Sequence, residues 1–402
     1  MEFKILILGF LKFITKILIL MSNSNNNNKR GILLPPAVGY SLKVLCNLCR
    51  NNNISLRYFP RLFAITIINI INLPFRSYER FVINPRFKSK AIEECPVFII
   101  GHWRSGTTHL HNLLSQDPQM GYTTTFQSVF PDTLFNKTGR FLFEGFTRLL
   151  IPGKRKGDNV SMDTTYPQEE EFTLGYRVPV SFYYFWMFPN SIINFYNSYV
   201  RLNGLADSEL ELWKRSYKLL IKKALKNTNG KRFLSKNPPN TARIQVLLDM
   251  FHDAKFIHIH RNPVEVFLST QNFYKKMMPH LQLQTITQEE IDQHILEIYK
   301  KLMNDFFKQK KLIPSGNLIE VSYEDLEENP ESILENIYKK LELQGYEAAR
   351  PIFGKYLKQT ESYKKNKHYI SKELLHKVLN EWDFAMKKLN YSVPENIEIL
   401  DR

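Results

Sequence analysis

The chain has 402 residues, 43% of them hydrophobic and 23% charged, which is enough apolar material for a core and argues against a disordered or fibrous protein. Three cysteines exclude a disulfide scaffold, and Cys46-x-x-Cys49 lacks the second pair or the histidines of a zinc site. Fifty-five Lys and Arg against 39 Asp and Glu leave a net charge of +16, which calls for an anionic partner: a phosphorylated ligand, an acidic membrane surface or a nucleic acid.

Residues 1–20 are very apolar but carry Lys4, Lys12 and Lys16. A spanning helix needs about 20 mostly apolar residues, and central lysines cost a few kcal/mol each. Lys12 and Lys16 share one helical face, with Lys4 near it, so the segment reads as an amphipathic helix lying on an anionic membrane. A signal peptide with a poor cleavage site, or translation starting at Met21, are the alternatives left open. Ser22–Arg30 is an Asn-rich linker. The apolar and basic stretch Ile32–Ile83 reads as helices packing on the main domain, with membrane contact as the alternative; its second apolar run, Leu62–Leu73, is interrupted by Asn69 and Asn72. The expected division is an N-terminal segment (1–21), a polar linker and helical extension (22–95) and a main domain (96–402).

Pro96–Ile100 is a short continuous apolar run, as for a strand buried on both faces of a parallel sheet. Gly101-His102-Trp103-Arg104-Ser105-Gly106-Thr107-Thr108-His109 follows at once, then Leu110, Leu113 and Leu114 at helical spacing, until Asp117-Pro118 stops the helix. Strand, Gly-bounded loop and helix aim backbone N–H groups at an anion. The spacing is that of a Walker A loop, but Thr107 stands where the Walker lysine belongs, and the cation, Arg104, lies inside the loop. That departure argues against an ordinary ATPase or kinase.

Lys255–His260 is a second buried-strand candidate, followed by Arg261-Asn262-Pro263 and a helix over Val264–Tyr274 with Pro263 at its first position. Arg261 therefore stands at a strand's C-terminal end, where open α/β sheets bind ligands. Ser269 lies two turns into the helix. Between the two sites, Arg232–Lys236 reads as a short strand whose exit carries a cation. Asn240 is expected to cap a helix with Ile244, Leu247, Leu248 and Phe251 on its core face. Leu318–Leu326, before Asn329-Pro330, puts Tyr323 at a strand end with Glu324 and Asp325 as acids suited to capping a helix.

Arg104-Ser105-Gly106-Thr107-Thr108 resembles the 5′-phosphosulfate loop of the PAPS-dependent sulfotransferases (PAPS, 3′-phosphoadenosine 5′-phosphosulfate), and Arg261 with Ser269 resembles the pair that holds the donor's 3′-phosphate there. Lys236-Asn237-Pro238 is similar to the Lys-x-Pro segment of the bacterial and tyrosylprotein branch. The small-molecule branch has a catalytic His two residues after that lysine, and here Pro238 occupies the place. The resemblance covers about residues 96–342. It implies an α/β fold with a P-loop-like central parallel sheet flanked by helices, after the helical N-terminal extension. It also implies sulfuryl transfer from PAPS, with PAP as product and no metal. Arg104, Ser105, Gly106, Thr107, Thr108, His109, Arg261, Ser269 and Tyr323 would bind the donor, and Lys236 would neutralise charge at the bridging oxygen.

A base must take the acceptor's proton. Met162–Phe172 contains Pro167, which opens a helix in this reading, and then Glu169-Glu170-Glu171. This resembles a Pro-x-Glu-acid-Glu segment of the bacterial branch, so Glu169 or Glu171 is the expected base, although acids also suit any helix first turn. His102 and His109 are rivals; His111, His252, His258 and His260 read as structural. Phe182–Phe188 is either core or the lining of a pocket for a hydrophobic alcohol. The basic run Lys364–His368 reads as a solvated face or as a flap over the 3′-phosphate. The expected partners are a small-molecule or lipid acceptor and peripheral membrane contact through residues 1–20, without nucleic acid, in a cytoplasmic setting. A nucleotide-dependent phosphotransferase and an inactive basic membrane-surface protein are the alternatives.

Overall fold

The computed structural model describes residues 36–150, 163–176, 179–360, 369–395 and 397–400. The expectations for residues 1–30 and for Lys364–His368 lie outside these residues. The chain divides into two compact units. The first takes the described residues up to Ala91 with Thr123–Asn227 and Lys275–Thr287; the second takes Ile92–Tyr122, Thr228–Tyr274 and the described residues from Gln288 on.

The second unit is built on a parallel sheet of five strands: β1 (Val97–Ile100), β2 (Met120–Gly121), β3 (Arg232–Lys236), β4 (Lys255–His260) and β5 (Leu318–Ser322), in the order β2-β3-β1-β4-β5. Every residue of β1 is fully buried, the two-faced burial its apolar run predicts. Val97 and Ile99 join Leu110, Leu234, Ile257 and Ile259 in one core, closed by Leu334 and Ile337 of helix Pro330–Lys340 and Phe353 of helix Tyr346–Thr360. Phe98 points the other way and stacks on Phe256 with centroids 5.5 Å apart. Tyr299 of helix Gln288–Gln309 stacks at 3.8 Å on Trp382 of helix Lys372–Lys388. A separate parallel pair, β6 (Tyr369–Ser371) and β7 (Glu398–Leu400), follows.

Strand order reverses at β1, which has β3 on one side and β4 on the other. Ile99 lies opposite Lys236, and Ile100 opposite His258. The exits of β1, β3 and β4 therefore emerge side by side at the C-terminal edge, the switch point at which such sheets bind ligands. The strand and helix expectations hold over residues 97–114, 232–236, 255–260 and 318–322, and the helix after Arg261 runs on to Leu281. Asn240 does not cap a helix: Pro238–Ala242 is a 3₁₀ turn, and the helix over Ile244–Met250 starts only after Arg243. The two prolines favour that tight turn over immediate helix entry.

The first unit is helical, with Leu42–Asn51, Phe59–Tyr78, Lys137–Leu150 and Asp207–Thr228 as its longer helices. Asn69 and Asn72 do not interrupt the second of these but lie on its buried face; Asn69 accepts from the Gly39 amide at 2.5 Å and donates to the Ala37 carbonyl at 3.1 Å. Pro167 does not open a helix. It forms an isolated bridge with Thr124, and the short helix starts at Glu171. Phe182–Trp186 is one buried 3₁₀ turn, so that stretch is core.

Just past the long helix, fully buried Glu79 pairs with Lys223 at 2.7 Å and accepts from the amides of Phe135 and Asn136, each at 2.9 Å. Removing one partner of a buried pair costs about 3–5 kcal/mol, because the other charge is left uncompensated. Glu79→Ala is therefore expected to lower Tm by about 5 °C or more, measured by thermal unfolding; a Tm within a degree of wild type would contradict this account of the first unit.

Candidate active site

The loop after β1 is shaped by backbone that tolerates no side chain. Gly101 has φ +141°, and a Cβ there would sit 2.2 Å from the Ile259 carbonyl oxygen of β4. Gly106, φ +93°, ends the loop where a Cβ would lie 2.4 Å from the Tyr323 ring. Only glycine fits both positions. Arg104, between them, adopts φ +72°, a left-handed conformation uncommon outside glycine. Ser105 is turned inward, its hydroxyl donating to the carbonyls of His102 at 2.5 Å and Ile259 at 3.2 Å. Thr241 Oγ1 accepts from the Gly101 amide at 2.8 Å and donates to the Gly101 carbonyl at 3.1 Å. Helix Thr107–Leu114 then begins directly on Gly106.

Three cations converge on this edge of the second unit. Arg104 Nε donates to Ser269 Oγ at 3.0 Å, and its guanidinium lies 5.1 Å over the Phe273 ring. Lys236, the last residue of β3, is 1% exposed and donates to Thr108 Oγ1 at 3.4 Å. Arg261, at the exit of β4, pairs with Glu265 at 2.7 Å and lies 4.6 Å over the Tyr323 ring. Tyr323 thus touches both halves of the arrangement: its ring fills the space beside Gly106 and carries Arg261. The exit of β4 is clamped from the C-terminal region, where Tyr391 donates to Glu324 at 2.8 Å and lies 2.9 Å from His260 Nδ1.

The histidines divide by burial. His102 is held at about 4 by burial, partly offset by its contact with the Trp103 carbonyl at 2.7 Å; it is neutral at pH 7 and Nδ1–H donates. Burial also lowers His109, against the opposing pull of Glu327. His111 is pushed well below the ordinary histidine value by burial and then by the charge of Lys236. His260 is held at about 4, chiefly by burial. His258 is buried and stacks on Phe306 at 3.8 Å.

Arg104, Ser105, Gly106, Thr107, Thr108, His109, Lys236, Arg261, Ser269 and Tyr323 all belong to the second unit. Glu169 and Glu171 belong to the first. Tyr183 donates to Glu169, Tyr217 donates to Glu170 at 2.7 Å, and Glu171, fully buried, accepts from the Phe182 amide at 2.8 Å. Sequence reasoning missed Thr241, Phe273, Glu265 and Tyr391. No local pattern marks them, because each acts across strand pairing or helix packing; only Glu265, four residues after Arg261, could have been read from i,i+4 spacing.

The sulfotransferase family model matches residues 96–348. The chain belongs to the sulfotransferase family. It is an enzyme that moves a sulfuryl group from PAPS to an acceptor, and the phosphotransferase alternative is set aside. Curated relatives from Mycobacterium bovis and Mycobacterium tuberculosis, both omega-hydroxy-beta-dihydromenaquinone-9 sulfotransferases (Stf3), are 29% identical over 374 residues, 92% of this chain and 95% of theirs. Sulfotransferase STF9 from Mycobacterium avium shares the fold with a TM-score of 0.66 at 15% identity, covering 95% of this chain and 96% of that one. STF1 from Mycobacterium tuberculosis does so at 0.57 and 17%, covering 93% and 97%.

Thr241→Val keeps the side chain's shape and removes both bonds to Gly101. Each is worth about 1 kcal/mol, so calorimetry is expected to show PAP binding weakened by up to about 30-fold and Thr241→Ser binding like wild type. Wild-type affinity in Thr241→Val would contradict the bracing role.

Proposed function

We propose that this sulfotransferase sulfates the terminal hydroxyl of a hydrophobic, isoprenoid-like acceptor at a membrane, and that the second unit's sheet edge holds the donor. The observation that carries the donor assignment is the meeting of Arg104, Ser269, Arg261 and Tyr323 around the Gly101–Gly106 loop. The acceptor class is supported by the dihydromenaquinone sulfotransferases that this chain resembles over nine-tenths of its length.

In this reading the loop amides and the start of helix Thr107–Leu114 meet the 5′-phosphosulfate, together with Thr107, Thr108 and His109. Ser105 contributes by fixing the loop through its hydroxyl rather than by touching the donor. Arg261 and Ser269 take the 3′-phosphate, with Tyr323 beside the nucleotide. Arg104, bonded to Ser269, reaches from the 5′ loop to the 3′ site. Lys236 balances the charge that grows on the bridging oxygen as the S–O bond to PAP breaks. The acceptor oxygen forms the new S–O bond and loses its proton to a carboxylate. Glu169, 8% exposed, is a better base than Glu171, which is fully enclosed. Glu171 then serves to position the segment. The apolar residues 1–20, outside the described residues, add a membrane-surface anchor on the cytoplasmic side.

Arg104→Ala and Arg261→Ala each remove a charge-assisted bond worth about 1.5–3 kcal/mol, so PAP binding by calorimetry is expected to weaken by about 10- to 100-fold. Lys236→Ala is expected to lower kcat by about 10²–10³, and Glu169→Gln by about 10²–10⁴, with PAP affinity retained in the latter. Wild-type PAP binding in Arg261→Ala would remove the 3′-site assignment, and wild-type kcat in Glu169→Gln would remove the base. Labelled PAPS is expected to sulfate ω-hydroxylated isoprenoid quinols; transfer to carbohydrates or tyrosyl peptides alone would overturn the acceptor class.

A further inference from the structure

Leu56–Phe87 is one continuous helical rod of 32 residues in the first unit. Its buried face mixes polar with apolar residues, and its exposed face is largely apolar, unlike the charged outer face usual for a soluble helix. The side packed into the protein carries Arg61, Asn69, Asn72, Arg76 and Glu79 beside Ile65 and Ile68. The side turned to solvent carries Leu56, Phe59, Phe63, Ile70, Leu73 and Phe81, whose steps of three, four, seven, three and eight residues keep them on one side of the helix. Phe63 is 65% exposed and Phe81 72%. Soluble surfaces show scattered apolar residues, but a contiguous stripe of this kind marks an interaction surface.

The charge of the segment indicates what covers it. No acidic residue occurs between Glu2 and Glu79, and Glu79 is itself buried against Lys223. Arg57 near one end and Arg80, Arg86, Lys88 and Lys90 near the other are exposed. Aromatic and aliphatic side chains accompanied only by exposed cations suit an anionic lipid surface. The polar face excludes a spanning arrangement, because it is tied to the protein along its length. Arg61 donates to the carbonyls of Gln282 at 2.6 Å and Pro279 at 3.1 Å. Arg76 donates to the carbonyls of Gly39 at 3.2 Å and Tyr176 at 2.9 Å. A helix so held can only lie flat.

We infer that the Leu56–Phe81 stripe is a monotopic membrane-docking face that seats the enzyme on an anionic bilayer, its apolar side chains reaching about 5–10 Å into the headgroup and acyl boundary. This site is separate from residues 1–20 and stands whatever the acceptor proves to be.

The test uses the full chain, residues 1–20 included, in co-sedimentation with vesicles of phosphatidylglycerol and phosphatidylcholine or of phosphatidylcholine alone. Wild type is expected to bind the anionic vesicles, less so at high salt. Phe63→Glu with Phe81→Glu is expected to lose at least tenfold in binding while keeping the wild-type Tm, since both positions face solvent. Phe63→Ser with Phe81→Ser serves as the milder pair should the first fail to fold, with the same loss expected. Three results overturn the proposal: no binding by wild type, wild-type binding by a folded double variant (attachment then lies elsewhere, as in residues 1–20), or a wild-type dimer in solution that the variant converts to monomer without any vesicle binding (the stripe then covers a second copy).

Discussion

The Ile259 carbonyl of β4 lies where a side chain on Gly101 would sit, and that close approach organises the donor edge. It requires glycine at the exit of β1 and sets the distance between the first loop and the strand that delivers Arg261. The same carbonyl receives the Ser105 hydroxyl, so the loop is tied to β4 at two points. Thr241, from the turn after β3, ties it on the other side. A loop braced from both neighbouring strands keeps its amides oriented before any ligand arrives, and preorganised donors need no rearrangement when charge develops.

Such an edge concentrates positive charge, which is costly without compensation. Arg261 is partly neutralised by Glu265, and the rings of Tyr323 and Phe273 face the two guanidinium groups, an arrangement worth about 0.5–2 kcal/mol apiece. Lys236 is nearly inaccessible and donates to Thr108 Oγ1, so its ammonium is held in place at the exit of β3. Burial at the same time keeps His102 and His260 neutral at pH 7, so the nearby histidines add no further repulsion.

The elements most legible in the sequence were those specified locally. The apolar run ending in Gly101, the strand ending in Arg261 and the Lys236 exit follow from residue type and order alone, and the sheet brings their ends together as that order implied. What local pattern could not show depends on partners distant in the chain. Asn69 and Asn72 look like breaks in an apolar run, but the helix buries both, and Asn69 bonds backbone groups of Gly39 and Ala37 thirty or more residues away. Pro167 looked like a helix start until its bridge to Thr124 was formed, and Asn240 like a cap until two prolines tightened the turn before it. Thr241 carried no signal, because its task exists only once β1 and β3 are paired.

In the proposed function one sheet edge recognises both ends of a nucleotide bearing a separate 3′-phosphate. Titration calorimetry of PAP against adenosine 5′-phosphate on the wild-type enzyme tests it most directly, since the two differ by that phosphate alone. PAP is expected to bind about 100-fold or more tightly, from charge-assisted bonds worth about 3 kcal/mol. Equal affinity for the two nucleotides would contradict it.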